Sequence, residues 1–300
     1  MSEIVNKKSL FFDSQFLSQL ERLAILSRQM IAGQMQGERR SPKKGQSVEF
    51  SDFRPYTLGD DFRRIDWNAY ARLEKFFIKL FVEEEDITVY FLIDTSASMN
   101  WGNPNKFDYS IRAAAALGYI ALVGLDRTTA YALGQTKPHL KHFPPHRGKR
   151  QAHKYFSYLE NIHPAKELNF VKEIIAFRSM AKQPGPLVFI TDLYNPQWKE
   201  ALSTLSNGKF EISLLHILSP DEINPGFTGD IKLLDIETNE EIEITADYDL
   251  IQRYKNQIAN WKDEIELFCS QRGIHYIPLE TTLHLQELLF SVLRRQTVLK

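Results

Sequence analysis

Apolar residues recur along this chain in two rhythms. Residues 14–33 place Phe16, Leu17, Leu20, Leu23, Ala24 and Leu26 at three- and four-residue steps, the stripe of an amphipathic helix. The stripe stops at "GERRSPKKGQS" (37–47), a polar and basic run that predicts a solvated loop, with an anion contact as the alternative. From residue 87 short apolar runs alternate with longer helical stretches, the grammar of a mostly parallel sheet wrapped by helices. Strands are predicted at 87–93 ("ITVYFLI"), 128–133, 139–143, 186–191 ("PLVFIT"), 211–218 and 274–279. Between the second and third, "TKP" is short enough for an antiparallel pair. Helices are predicted at 106–124, near 150–160, 167–182, 196–206, 247–272 and 283–295. "DIKLLDIETNEEIEIT" (230–245) alternates on both sides of "TNEE" instead, which predicts a late inserted hairpin.

Composition narrows the possible roles. The 37 Lys and Arg against 38 Asp and Glu leave a formal net charge of -1, so no global field draws the chain to nucleic acid or an anionic membrane. The single cysteine, Cys269, excludes an intrachain disulfide framework and a multi-cysteine metal site, and suits a reducing compartment as a buried thiol. Charged and polar residues interrupt the N-terminal stretch before an apolar signal core forms, so cytoplasmic retention is expected. The longest apolar stretch, 113–125, falls short of the roughly 20 residues a membrane-spanning helix needs and predicts a buried helix; direct membrane insertion is not expected.

The chemistry gathers where apolar strands end. In "YFLIDTSASMNWG" (90–102) alternation sends Asp94, Ser96 and Ser98 one way and Thr95 and Ala97 the other, and open α/β sheets bind ligands beyond the carboxyl ends of their strands. A second apolar strand ends in Asp192. One carboxylate with two hydroxyls, joined by another strand-end acid, suits a hard cation such as Mg²⁺ or Mn²⁺. The competing reading is that Asp94 and Asp192 cap the helices that follow them.

The strand contexts, the D-x-S-x-S and the later "ITD" resemble the metal-ion-dependent adhesion site of von Willebrand factor A domains. That resemblance implies direct ligation by Ser96 and Ser98, with Asp94 and Asp192 acting largely through water. The family's third loop supplies a threonine, whereas the stretch taken to correspond, "PPHRGKRQAHKYF" (144–156), has none. Arg147, Lys149 or Arg150 from that stretch could neutralise the acids without a cation, or bind an acidic partner.

Residues 47–86 are dense in Arg, Asp, Trp and Tyr. Arg54, Tyr56, Asp60, Asp61, Arg64, Asp66 and Trp67 are read as a structural network of ion pairs and aromatic rings, and "FFIKLFVEE" as an extended arm that adds to the sheet. The series F-R-P-Y-x-x-G-D-D-x-R-x-I-D-W, A-R, D-T-S-A-S-M, R-G-K-R and D-I-E-T resembles the bacterial domain of unknown function family numbered fifty-eight, over nearly the whole chain. The resemblance implies a von Willebrand factor A-like, Rossmann-like three-layer sandwich and a MoxR-type AAA+ ATPase encoded nearby.

Two regions are expected: 1–86, an N-terminal helix, basic loop and β extension packed on the main domain, and 87–300, the α/β domain with its hairpin. The function expected is that of a non-catalytic adaptor working with a MoxR-like ATPase in remodelling, maturation or metal insertion of an unidentified client protein. The alternatives are a metal-dependent phosphohydrolase and a metal-free structural scaffold. Phosphohydrolase chemistry lacks the second acid of D-x-D, replaced by Ser96, and no P-loop occurs, so an enzyme is not expected.

Overall fold

A computed structural model describes residues 11–25, 48–57, 60, 62, 65–83, 87–165, 168–207, 210–226, 229–234 and 241–300. The predicted basic loop at 37–47, and the part of the first helix beyond residue 25, lie outside these. The chain forms two compact units, 28–86 and the remainder.

The larger unit is built on a six-stranded sheet. Its strands are β3 (Thr88–Asp94), β4 (Arg127–Leu133), β5 (His142–Arg147), β6 (Gly185–Thr191), β7 (Phe210–Leu218) and β10 (His275–Glu280). They lie in the order β10-β7-β6-β3-β4-β5, all parallel except the edge strand β5, which runs antiparallel to β4. The chain builds outward from β3 to β5, then returns to the other side of β3 with β6. Strand order therefore reverses between β3 and β6, and the crevice beyond their carboxyl ends is the switch point of the sheet.

Side-chain alternation along β3 feeds both faces. Val89, Phe91 and Ile93 join one apolar core with α1 (Ser14–Leu20), α3 (Lys106–Val123) and α4 (Ala152–Glu160). Tyr90 and Leu92 join the other, with α5 (Phe170–Met180), α6 (Trp198–Ser206) and α7 (Tyr248–Ser270). The result is a helix, sheet, helix sandwich. Helix α3 is apolar on nearly every side because it is buried nearly all round, as its run of alanines predicts. The N-terminal segment belongs to this unit: Ile25 bridges Leu299, and Ala24 and Lys300 exchange backbone hydrogen bonds. The hairpin appears as β8 (Gly229–Leu234) and β9 (Glu241–Ala246).

Two expectations about strands need correction. The third strand begins at His142 rather than at 139, because Pro138 opens a short helical turn at Pro138–Lys141. Pro144 and Pro145 then sit in the edge strand, where a missing N–H is tolerated. The arm "FFIKLFVEE" does not join the main sheet: β2 (Phe77–Glu83) pairs antiparallel with β1 (Val48–Pro55) in a sheet of two, inside the smaller unit.

Candidate functional site: the strand-end crevice

Asp94 closes the fully buried strand β3 and is itself 2% exposed. Its Oδ1 accepts the Ser96 N–H at 2.8 Å, which turns the chain, and its Oδ2 accepts the Thr191 hydroxyl at 2.7 Å from the end of β6. Burial, together with the negative charge of Asp192, pushes the Asp94 carboxyl up to about 6. The Ser96 and Ser98 hydroxyls meet at 3.0 Å. Thr95 points the other way, its hydroxyl donating to the Leu133 carbonyl and accepting from Gln135 Nε2.

Asp192 is 1% exposed and equally constrained. Its Oδ1 accepts the Tyr194 N–H at 3.2 Å and its backbone carbonyl accepts from His216 Nε2 at 3.0 Å. Burial pushes His216 down to about 4, so the ring is neutral. A carbonyl only accepts, hence Nε2 carries the proton and Nδ1 accepts the Tyr276 hydroxyl at 2.8 Å. Neither acid caps a helix: Asn105 caps α3, and α6 begins after Gln197.

The cation at the crevice is one the sequence reading missed. Lys106, the first residue of α3, is 0% exposed, and its Nζ donates to Asp192 Oδ2 at 2.8 Å and Glu222 Oε1 at 2.5 Å. The ammonium also lies 5.0 Å from the Tyr194 ring centre. Glu222 comes from the turn Pro220–Ile223, where its Oε2 accepts the Ser219 N–H at 2.7 Å and its carbonyl the Tyr254 hydroxyl at 2.8 Å. The local signal for Lys106 is slight: a lysine opening a helix sits where the helix dipole disfavours a cation, so buried carboxylates have to answer it.

The arginine-rich stretch lies at the other end of the sheet. Arg147 is opposite Arg127 at the start of β4, whereas Asp94 is opposite Leu133 at its end, six residues or about 20 Å away along the strand. Arg147 acts instead on Asp126, whose carboxyl burial raises to about 6 and whose rise that arginine limits. Lys149 pairs with Glu21 at 2.6 Å, and Arg150 is exposed in the turn before α4. The loop on the crevice is the one after α4: the Ala165 N–H donates to the Thr95 carbonyl at 2.6 Å and Gln135 Nε2 to the His163 carbonyl at 2.5 Å. Residues 161–169 contain no threonine either.

The predicted structural network falls in the smaller unit. Arg54 forks onto Asp60 at 2.9 and 2.6 Å, which holds that carboxyl down at about 2. Asp66 caps α2 (Trp67–Leu73) by accepting the N–H groups of Asn68 and Ala69. Trp67 and Tyr56 each meet the Phe76 ring edge-on. Asp61 and Arg64 lie outside the described residues.

The family model described as "Protein of unknown function DUF58" matches residues 52–264. The chain belongs to that family. Over 241 residues this DUF58 chain is 24% identical to "Uncharacterized protein Rv1480" of Mycobacterium tuberculosis and "Uncharacterized protein Mb1516" of Mycobacterium bovis, covering 78% of this chain and 75% of each relative. Among solved structures, the conserved hypothetical protein BatB from Bacteroides thetaiotaomicron aligns with a TM-score of 0.38 at 16% identity, over 65% of this chain and 90% of that one. An aerotolerance-related membrane protein from Bacteroides fragilis aligns with a TM-score of 0.39 at 17% identity, over 64% and 91%. Among the described residues of the DUF58 chain, no helix is long and apolar enough to cross a membrane.

The donor set fits a hard divalent cation better than a soft one. No three His, Cys, Asp or Glu side chains form a metal cage among the described residues, so a cation here would rest on hydroxyls and water. The Ser96 and Ser98 hydroxyls hydrogen-bond to one another at 3.0 Å, and two ligands on adjacent corners of an octahedral Mg²⁺ stand about as far apart, so an ion would replace that hydrogen bond with little movement of either oxygen. Two carboxylates, Asp192 and Glu222, pair with the Lys106 ammonium, and Asp94 lies near enough to Asp192 to feel its negative charge.

Proposed function

We propose that this DUF58 chain is a non-catalytic interaction module whose strand-end crevice binds an acidic side chain of a partner through Mg²⁺ or Mn²⁺. The observation that carries the reading is the pair of serine hydroxyls 3.0 Å apart beside the buried Asp94, at the switch point of the sheet. Ser96 and Ser98 would hold the ion, with Asp94 and Asp192 accepting hydrogen bonds from its waters. Bound there, the ion supplies an open coordination position that a partner's carboxylate can fill. The protein's own contribution is rigidity: Thr191, His216 and the Tyr194 N–H fix both acids before anything binds.

The partner class follows from the family resemblance. It is a MoxR-like AAA+ ATPase, with which the chain would remodel, mature or insert metal into a client protein in the cytoplasm. The test is co-purification of the full chain with a co-expressed MoxR-type ATPase in Mg²⁺, in chelator, and with Ser96→Ala. Recovery only in Mg²⁺ with Ser96 intact supports the proposal; equal recovery in all three arms removes the cation from it.

A second reading, the metal-free scaffold, is favoured by Lys106, which already places one positive charge on Asp192. The two readings differ in whether the wild-type protein takes up Mn²⁺ at all.

A further inference from the structure

Lys106 and a divalent cation would seek the same carboxylate. Asp192 Oδ2 accepts from Lys106, and Asp192 also supplies charge to the Asp94 and Ser96 side of the crevice. Lys106 has somewhere else to go, because its Nζ already bonds Glu222 at 2.5 Å and rests beside Tyr194. Glu222 in turn holds Ser219 through its other oxygen and Tyr254 of α7 through its carbonyl. The crevice is thereby joined by consecutive polar contacts to the 219–224 turn and the amino half of α7.

We propose that Lys106 is an internal competitor for the cation: the ammonium and the ion draw on the same Asp192 charge, and loading the ion shifts Lys106 toward Glu222. This inference rests on the cation reading of the crevice. Lys106 then sets the affinity of the site, keeping it weak enough to be reversible. It also reports occupancy to the 219–224 turn, since any change in how Lys106 divides between its two carboxylates changes the pairing of Glu222.

The test titrates Mn²⁺ into the full chain, reading free ion by electron paramagnetic resonance and heat by calorimetry, for wild type, Lys106→Met, Glu222→Gln and Ser96→Ala. Lys106→Met should bind Mn²⁺ about ten-fold tighter or more, and Glu222→Gln several-fold weaker, because its lysine is left with Asp192 alone. Saturating Mn²⁺ should alter amide exchange across 219–224 in wild type and not in Glu222→Gln. If Lys106→Met does not fold, Lys106→Met/Glu222→Gln keeps one fewer buried carboxylate, and must bind tighter than Glu222→Gln. Binding by wild type that Ser96→Ala abolishes and Lys106→Met leaves unchanged or weakens overturns the competition and leaves the cation reading standing. Uptake by Lys106→Met alone supports the competition while removing the cation from the wild-type protein's function. No Mn²⁺ in any arm overturns both.

Discussion

At the scale of single residues, the crevice is held by charges that were bought out of water together. Removing Lys106 leaves Asp192 and Glu222 facing one another without a cation, and breaking a buried pair in this way costs about 3–5 kcal/mol. Lys106→Met should lower the urea midpoint accordingly at low divalent ion, and saturating Mn²⁺ should restore part of the loss; a shift below about 1 kcal/mol would mean that water reaches the triad. His216 gives a second expectation. Its folded pKa of about 4 lies below the ordinary 6.5, so the unfolded chain binds the extra proton and stability falls as pH drops from 6.5 to 4. The loss attributable to this ring approaches about 3 kcal/mol by pH 4. Asp126, raised to about 6, works in the opposite sense, holding its proton in the folded state and destabilising it as pH rises. His216→Gln should therefore flatten the acid limb measured by urea unfolding at several pH values, and an unchanged limb would place the acid sensitivity elsewhere. The strand-end acids and serines were legible because β3 and β6 announce their own ends. Lys106 was not, since its partners stand 86 and 116 residues away in sequence and its own neighbours suggest an exposed helix start.

Elements were read better than their edges. Long apolar strands and the alanine-rich α3 carry their pattern within a dozen residues, so β3, β6, β7 and the hairpin emerged where the periodicity put them. The stretch 144–156 belongs at the amino end of the sheet, as the predicted antiparallel pair already implies; the likeness to the third loop of adhesion sites outweighed that topology, and only α4 brings the chain back to the crevice. How closely α3 and α4 approach is also invisible locally. A Cβ at Gly118 would lie 2.1 Å from the ring of Tyr155, a fully buried side chain whose hydroxyl donates to the Ala114 carbonyl. Gly118→Ala should gain helix propensity yet lose about 1–3 kcal/mol to overpacking. Combined with Tyr155→Leu, which removes the ring from that space, the added loss should shrink to near zero in a double-mutant cycle. Additive losses would show that the cost of Gly118→Ala does not come from the Tyr155 ring.

On the scale of the whole molecule, both apolar cores lie, among the described residues, within the larger unit, between Phe12 and Leu299. The smaller unit instead carries exposed rings at Phe53, Phe62, Trp67 and Phe76 and organises itself through the Arg54–Asp60 fork and the capped helix α2. The expectation is that the sheet folds without residues 28–86. Replacing 28–86 with a flexible Gly/Ser linker of thirty residues, whose root-mean-square span is about 30 Å, should leave a cooperatively unfolding sheet unit with an intact near-ultraviolet spectrum. Mn²⁺ uptake, if Ser96 and Ser98 provide it, should persist in that chain with the wild-type dependence on Lys106, because every residue named in the crevice lies in 94–276. Co-purification with a MoxR-type ATPase is then the informative readout. Its survival assigns partner binding to the crevice, whereas its loss with cation uptake retained assigns a share of recognition to the aromatic and arginine-rich unit. Failure of the shortened chain to fold would mean that the sheet requires 28–86 despite holding both cores itself.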